Sequence, residues 1–190
     1  MLRGVRFTLQ PGTVLQLRGA NGAGKTSLLR TLCGFLHPEE GRVLWNGRNV
    51  LEDLREFHSH VAYLGHEPPL KGDLTALENL RYWVGTRQHL ATKDYAAALS
   101  QVEAGKLGDR LVRTLSAGQK RRIALAGLTL LGASLWLLDE PTTNLDTAGQ
   151  GLVATLLENH VRAGGLAVAA VHHELSTNPT NTQRLELESA

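Results

Sequence analysis

The sequence of 190 residues predicts an α/β fold, in which a parallel sheet alternates with helices and carries one all-helical insertion. Short apolar runs typical of strands alternate with helical patterns near both ends of the chain, as a doubly covered parallel sheet requires. Between Pro68 and Ser116, in contrast, the pattern is helical throughout. Because a chain of this length has the size of one ordinary domain, we expect a single core with an inserted subdomain.

The first part of the chain supplies strands and one helix. Its predicted elements are a strand over residues 13–17, a helix over 26–36, a strand over 42–45 that turns at Asn46-Gly47, and a strand over 61–64. In the helix, Cys33 shares an apolar face with Leu29, Leu32 and Leu36. We therefore expect Cys33 to be a small core residue and not a reactive thiol.

Helices of the insertion are indicated by their first residues. The spacing Thr75-x-x-Glu78 is a capping box for a helix over residues 76–84, and Thr92 begins an alanine-rich helix that we expect to reach Ala104.

The α/β alternation returns after the insertion. The predicted elements are a helix over residues 117–131, a buried strand over 135–138, a helix over 147–162 and a strand over 166–171.

Composition limits the partners and the location. The 20 basic and 18 acidic residues are interspersed and leave a formal net charge of +2, so no basic stripe points to a nucleic-acid partner. A single cysteine indicates a cytosolic setting. No apolar stretch reaches membrane-spanning length, and the first six residues lack the apolar core of a signal peptide. We expect any role at a membrane to depend on a partner.

A phosphate-binding loop follows the first strand. The run from Gly19 to Thr26 fits G-x-x-x-x-G-K-[ST] at every fixed position and opens a helix. Its glycines allow backbone N–H groups to turn toward a phosphate chain, Lys25 is expected at the β- and γ-phosphates, and Thr26 is expected on Mg²⁺. The residues expected to surround the phosphates are Gly19, Ala20, Asn21, Gly22, Ala23, Gly24, Lys25, Thr26 and Ser27.

A pair of acids ends the apolar strand at 135–138. Such a strand delivers Asp139 and Glu140 to the carboxyl edge of a parallel sheet, where ligands bind. Asp139 is an oxygen ligand of the kind that Mg²⁺ prefers, and Glu140 is placed to act as the base for a water in line with the γ-phosphate. Taken alone, the pair could also be two solvated acids.

A second anion-binding feature begins the next helix. Ser116-x-x-Gln119 is a capping box, which by itself marks only a helix start. Gly118 in the first turn is less favourable than alanine by roughly 1 kcal/mol, which indicates a close approach of the backbone to a ligand. A helix N-terminus with a serine hydroxyl is suited to an anion.

Together these motifs resemble the ATP-binding-cassette (ABC) ATPases, and the similarity runs nearly from end to end. Residues 115–119 resemble that family's signature sequence, and residues 143–146 resemble its D-loop. The resemblance implies a P-loop NTPase core of the ABC ATPase type over residues 1–65 and 117–190, with a helical subdomain over 66–116. It implies Mg²⁺-dependent ATP hydrolysis in a homodimer that forms on ATP binding.

The resemblance also assigns roles to single residues. His172, which follows an apolar strand, resembles the switch histidine that contacts the γ-phosphate, and Asp146 is the acid of the D-loop. Each ATP is expected between the P-loop of one subunit and Ser116, Gly118 and Gln119 of the other. The expected catalytic residues are Glu140, His172 and His66, and the expected metal ligands are Thr26 and Asp139.

A narrower resemblance is to the ATP-binding subunits of haem exporters in cytochrome c maturation. It is carried by residues 43–47, 63–71 and 74–80. It implies integral membrane subunits that dock near His66 to Lys71, a peripheral position on the cytoplasmic face of the inner membrane, and release of a haem-loaded chaperone.

Two departures from the family leave alternatives open. His66 stands where most members carry glutamine, and an imidazole near neutral pH varies in protonation. The sequence also starts after the position of the family's adenine-stacking aromatic residue, so either the sequence starts at an unusual point or adenine is held differently. The alternatives are therefore the ATPase of another ABC exporter, or a nucleotide-gated assembly module with slow hydrolysis. A small-metabolite kinase is disfavoured because it leaves Ser116 and Gly118 unexplained.

The other histidines are not expected in the site. His58-x-His60 lacks cysteine or acidic residues at metal-site spacing. The histidines expected at the surface are His37, His89 and His160.

Overall fold

The computed structural model describes residues 3–88 and 90–188, and it confirms the predicted α/β fold. The strands are β1 Val14–Arg18, β2 Leu44–Trp45, β3 Arg48–Asn49, β4 Val61–Leu64, β5 Leu135–Asp139, β6 Leu166–Ala170 and β7 Thr182–Glu186. The α-helices are α1 Lys25–Leu32, α2 Leu54–Ser59, α3 Ala76–Gly85, α4 Thr92–Gln101, α5 Ala117–Leu130 and α6 Thr147–Arg162. Short 3-10 helices cover Gly105–Leu107, Val112–Thr114 and Pro179–Asn181.

The main sheet has the strand order β4-β5-β6-β1-β7, and β2 pairs with β3 as a separate antiparallel ribbon. The pairs β5·β6, β6·β1 and β1·β7 are parallel, with Leu15 opposite Val168 and Asp139 opposite Ala170. The carboxyl ends of β1, β5 and β6 therefore lie at one edge of the sheet. The phosphate loop, the acid pair and His172 all leave the sheet at this edge.

Burial explains the composition of the central strands. β5 and β6 are buried along their whole length, and for this reason they read as continuous apolar runs instead of alternating ones.

One polar side chain, Gln16, is fully buried on β1. Its amide is satisfied by the main chain of Leu175, since its nitrogen donates to the Leu175 carbonyl and its oxygen accepts from the Leu175 N–H, each at 3.1 Å.

The chain divides into two compact units. The first comprises the chain up to Tyr63, Ala133–Pro141 and the chain from Leu157 onward, and the second comprises Leu64–Gly132 and Thr142–Leu156. In the second unit α5 packs against both α3 and α4. Gly127 allows this packing with α3, because a Cβ atom there would lie 2.3 Å from the Trp83 ring.

Both capping boxes predicted from the sequence are present. The Thr75 N–H donates to Glu78 Oε2 at 2.7 Å, and the Glu78 N–H donates to Thr75 Oγ1 at 3.2 Å. Hydrogen bonds from the Thr75 N–H and from the Thr75 side chain lower the pKa of the exposed Glu78 carboxyl.

The helix after the phosphate loop is shorter than predicted. It ends at Leu32, because Gly34 adopts φ +77° and the N–H groups of Phe35 and Leu36 both turn back to the Arg30 carbonyl. Cys33 is buried as expected, whereas Leu36 is 42 % exposed, so its assignment to the apolar face was wrong. Similarly, α4 ends at Gln101 and does not reach Ala104, because the backbone leaves the helical conformation at Glu103, which has φ +56°.

Three elements and one histidine differ from expectation. The helix α2, the strand β3 and the edge strand β7 were not predicted. The strand β7 reads Thr-Gln-Arg-Leu-Glu, which has no apolar run. His160 is not a surface residue. Its ring stacks on Trp136 with centroids 4.0 Å apart, and its Nε2 lies 3.0 Å from the Leu166 carbonyl oxygen. This burial lowers the pKa of His160.

His89 lies outside the described residues. Within the described part of the chain, no helix has the length and apolar character needed to cross a membrane.

Candidate active site

The phosphate loop is shaped by three glycines. Gly19, Gly22 and Gly24 have φ values of +141°, +82° and +95°, which side chains rarely adopt. A Cβ atom on Gly19 would also lie 2.5 Å from the carbonyl oxygen of Leu187, so the loop is packed against the chain that follows β7. Ala20, Asn21 and Gly22 are exposed at the tip, where backbone N–H groups are open to an anion.

Lys25 is the first residue of α1 and is only 7 % exposed. Its Nζ donates to the carbonyl oxygens of Gly19 at 2.7 Å and of Ala20 at 3.0 Å. The ammonium group thus lies within the curl of the loop, at the positive end of the helix. A bound phosphate chain would be neutralised at this point. Ala23 is buried beneath the loop, and Ser27 is exposed one residue beyond Thr26.

Thr26 and Asp139 are brought into direct contact. The Thr26 hydroxyl donates to Asp139 Oδ2 at 2.8 Å, and Asp139 is 3 % exposed at the end of β5. A hydroxyl and a carboxylate are the oxygen ligands that Mg²⁺ accepts when phosphate supplies further positions. Among the described residues, no group of three or more histidine, cysteine or acidic side chains is placed to hold a metal ion.

Glu140 and His172 form a pair at the same sheet edge. His172 Nε2 lies 2.6 Å from Glu140 Oε1, and the two side chains are 38 % and 22 % exposed, respectively. Glu140 adopts φ +50° immediately before Pro141, while its N–H donates to the Ala170 carbonyl at 3.0 Å. This turn directs the carboxylate out of the strand at the residue after Asp139. A carboxylate held by an imidazole and open to solvent can orient a water molecule or accept its proton.

In the second unit, α5 begins with the predicted cap. The Gln119 N–H donates to Ser116 Oγ at 3.2 Å, and the Ser116 N–H donates to Gln119 Oε1 at 3.0 Å. Packing within the chain explains why residue 118 is glycine, because a Cβ atom there would lie 2.6 Å from the Asn144 carbonyl oxygen. The first turn of this helix therefore lies against the loop that contains Asp146.

Asp146 is connected to α5 by Arg122. Arg122 Nη2 lies 3.3 Å from Asp146 Oδ1, and Nη1 donates to Glu103 Oε2 at 2.7 Å and to the Val102 carbonyl at 3.2 Å. Asp146 Oδ1 also accepts from the Gly149 N–H at 2.9 Å, in the first turn of α6. One oxygen of the Asp146 carboxylate is thus held from two sides, by Arg122 of α5 and by the Gly149 N–H of α6.

His66 is exposed and directly follows Gly65 beyond β4. Its main chain is held by the neighbouring arginine of α5. Arg121 Nη1 donates to the Gly65 carbonyl at 3.0 Å, and Nη2 donates to the His66 carbonyl at 2.8 Å.

The predicted residues therefore fall into two groups. The phosphate loop, Asp139, Glu140 and His172 belong to the first unit, and His66, Ser116, Gly118, Gln119 and Asp146 belong to the second. Sequence reasoning gave no role to Arg121 and Arg122. The only signal was the basic run directly after Gln119, which does not reveal that the two guanidinium groups reach different loops.

Comparison with known proteins agrees with this arrangement. The sequence matches the ABC transporter family over residues 2–143. It is 46 % identical over 176 residues to the cytochrome c biogenesis ATP-binding export protein CcmA of Methylococcus capsulatus, covering 92 % of this chain and 85 % of that protein. It is 45 % identical over 184 residues to CcmA of Xanthomonas campestris pv. campestris, covering 97 % and 85 %.

A solved structure shows the same fold. The ATP-binding cassette MJ0796, in a dimeric post-hydrolysis state bound to ADP and Pi, superposes with a TM-score of 0.86 at 22 % identity, over 99 % of this chain and 88 % of that one. The family match and the two relatives confirm the predicted family. The chain belongs to the ABC transporter family, as a nucleotide-binding ATP hydrolase of the group of cytochrome c biogenesis ATP-binding export proteins.

Proposed function

We propose that this chain hydrolyses Mg²⁺-ATP to drive a haem exporter complex of cytochrome c biogenesis, in which release of a haem-loaded chaperone is the output. The support is the identity of 45 % or more to proteins named for cytochrome c biogenesis and export. In this proposal the chain is peripheral, lies on the cytoplasmic face of the inner membrane, and binds integral membrane subunits near His66 to Lys71.

The observation that carries the enzymatic part is the contact of 2.6 Å between Glu140 and His172. Glu140 accepts a proton from the attacking water, and the His172 imidazole holds the carboxylate in place and reaches the γ-phosphate. Thr26 and Asp139 would hold Mg²⁺, which neutralises charge on the phosphates. Lys25 and the loop N–H groups bind the phosphate chain.

The proposed organisation is a core of residues 1–65 and 117–190 with a helical subdomain of residues 66–116. Two copies close on ATP, so that the phosphate loop of one faces Ser116, Gly118 and Gln119 of the other. The dimeric state of the similar cassette bound to ADP and Pi supports this arrangement. Its consequence is that specific ATPase activity rises with protein concentration.

The test is the variant Glu140→Gln, which keeps the size and the polar contact of the side chain but cannot take a proton. We expect it to bind ATP with an unchanged Kd, to lose turnover by a factor of about 10² or more, and to accumulate as a dimer in light scattering with ATP and Mg²⁺. Glu52→Gln, an exposed glutamate in a turn of the first unit, is the matched control and should behave as the wild-type chain does. Normal hydrolysis by Glu140→Gln would place the base elsewhere.

A cellular test addresses the haem part separately. A strain that carries Glu140→Gln should lose haem attachment to c-type cytochromes while other haem proteins remain normal. If c-type cytochromes stay normal although the purified variant is inactive, the ATPase assignment stands and the transported cargo is different.

A further inference from the structure

Arg121 is a buried cation that the reaction as described above does not use. It is 1 % exposed, lies on the second turn of α5, and is the largest of the fully buried side chains among the described residues. Burial of a guanidinium group is unfavourable unless its N–H groups are hydrogen-bonded. Two of its hydrogen-bond acceptors belong to one short segment, the main chain of Gly65 and His66.

The geometry of these two acceptors is informative. Along a β-strand, successive carbonyl groups point in opposite directions, so two consecutive carbonyls cannot reach the same guanidinium group while the strand continues. The Gly65 and His66 carbonyls do so at 3.0 Å and 2.8 Å, directly after β4 ends at Leu64. Arg121 therefore holds the main chain in the bent form that follows the strand, and this bend sets the direction in which the exposed His66 side chain leaves.

The bend lies at a glycine and an exposed histidine. Gly65 has no side chain to limit its backbone, and the imidazole of His66 is exposed. The guanidinium fork is suited to the task because it is planar and offers two parallel donors, which the single nitrogen of a lysine cannot reproduce.

Arg121 also connects this segment to the helix that begins at Ser116. The arginine lies five residues after Ser116, and the following residue, Arg122, contacts Asp146 on another loop. Two adjacent side chains thus tie the start of α5 to His66 on one side and to Asp146 on the other, all within the second unit.

We propose that Arg121 is a positioning residue for ATP hydrolysis, which acts by holding the Gly65-His66 main chain so that His66 takes its place in the reaction. This inference rests on the proposed function and on the expectation from the sequence that His66 is a catalytic residue.

The experiment is a double-mutant cycle on turnover in the intact transporter, with Arg121→Lys, His66→Ala and the double variant. If Arg121 acts through His66, Arg121→Lys should lower kcat about tenfold and leave KM for ATP within about twofold. In the His66→Ala background the same change should have no further effect on kcat. Arg113→Lys is the matched control, because that arginine belongs to the same unit but its side chain is 61 % exposed in an ion pair with Asp73.

The possible outcomes distinguish the positioning role of Arg121 from the proposed ATPase function. A wild-type kcat in Arg121→Lys, or an equal loss in the wild-type and His66→Ala backgrounds, would overturn the positioning role and leave the ATPase intact. A His66→Ala variant with normal turnover would overturn it as well. Absence of ATP turnover in the wild-type transporter would instead contradict the proposed function. Thermal unfolding of each variant is measured in parallel, and Arg121→Lys retains the buried charge so that folding is preserved.

Discussion

Replacement of Gly118 by alanine tests whether this glycine is required by packing. Alanine is favoured over glycine in a helix by up to about 1 kcal/mol, so the change should stabilise α5 if nothing opposed it. A Cβ atom at Gly118, however, would lie 2.6 Å from the carbonyl oxygen of Asn144. The obstacle is main chain and cannot swing aside, since Asn144 already adopts φ +65°.

A second glycine provides the matched control. Gly151 lies within α6, and a Cβ atom there would have no neighbour within 4 Å. Gly151→Ala should therefore raise the free energy of unfolding by about 0.5–1 kcal/mol. Overpacking costs about 1–3 kcal/mol, and a contact of 2.6 Å with main chain places Gly118 in the upper part of that range. After the helical gain of up to about 1 kcal/mol is subtracted, Gly118→Ala should lower the free energy of unfolding by about 1–2 kcal/mol. The two identical substitutions are thus expected to act with opposite sign.

Urea denaturation of the three chains, followed by circular dichroism, measures both values. Gly118→Ala should also reduce ATPase activity, because the displaced Asn144 lies two residues before Asp146. If Gly118→Ala is as stable as Gly151→Ala, the contact with Asn144 does not restrict residue 118.

Two further predictions concern single polar side chains. Lys25→Ala should weaken ATP binding at least tenfold, because a charge-assisted contact with phosphate contributes about 1.5–3 kcal/mol, and ATP turnover should fall as well. The control in the nucleotide-binding assay is Lys93→Ala, since Lys93 is exposed on α4. An unchanged Kd for Lys25→Ala would contradict the phosphate-binding role of the loop. Because burial lowers the pKa of His160 in the folded chain, the unfolded chain takes up its proton at higher pH, and the free energy of unfolding should fall as pH drops below about 6.5. His160→Phe, which keeps a ring against Trp136, should flatten this part of the pH profile of the free energy of unfolding.

Local signals in the sequence were sufficient for the parts of the site whose partners are close along the chain. The phosphate loop could be predicted because its glycines and Lys25 act within eight residues, and Lys25 indeed contacts the carbonyls of Gly19 and Ala20. The cap at Ser116 could be predicted because its partner, Gln119, lies one helical turn away. The buried strand β5 was evident from its apolar run, which parallel strands covered on both faces must have.

Other features depended on segments that are distant along the chain. Whether Glu140 meets His172, 32 residues later, is decided by the pairing of β5 with β6, and whether Thr26 meets Asp139, 113 residues later, is decided by the packing of α1 on β5. The polar strand β7 has no pattern of its own and becomes a strand because β1 offers it a free edge.

The sequence by itself determined the chemistry of the chain, since the residues expected to bind phosphate, to bind a metal ion and to activate water can all be recognised from local motifs. Only the tertiary structure decided how those residues are held. The direction of the bend at His66 is set by a guanidinium group 55 residues away, and the end of α1 is set by the turn at Gly34. The physical reason is that a spacing motif specifies contacts within a turn or a helix, whereas hydrogen bonds between distant segments form only when the packed core brings their partners together.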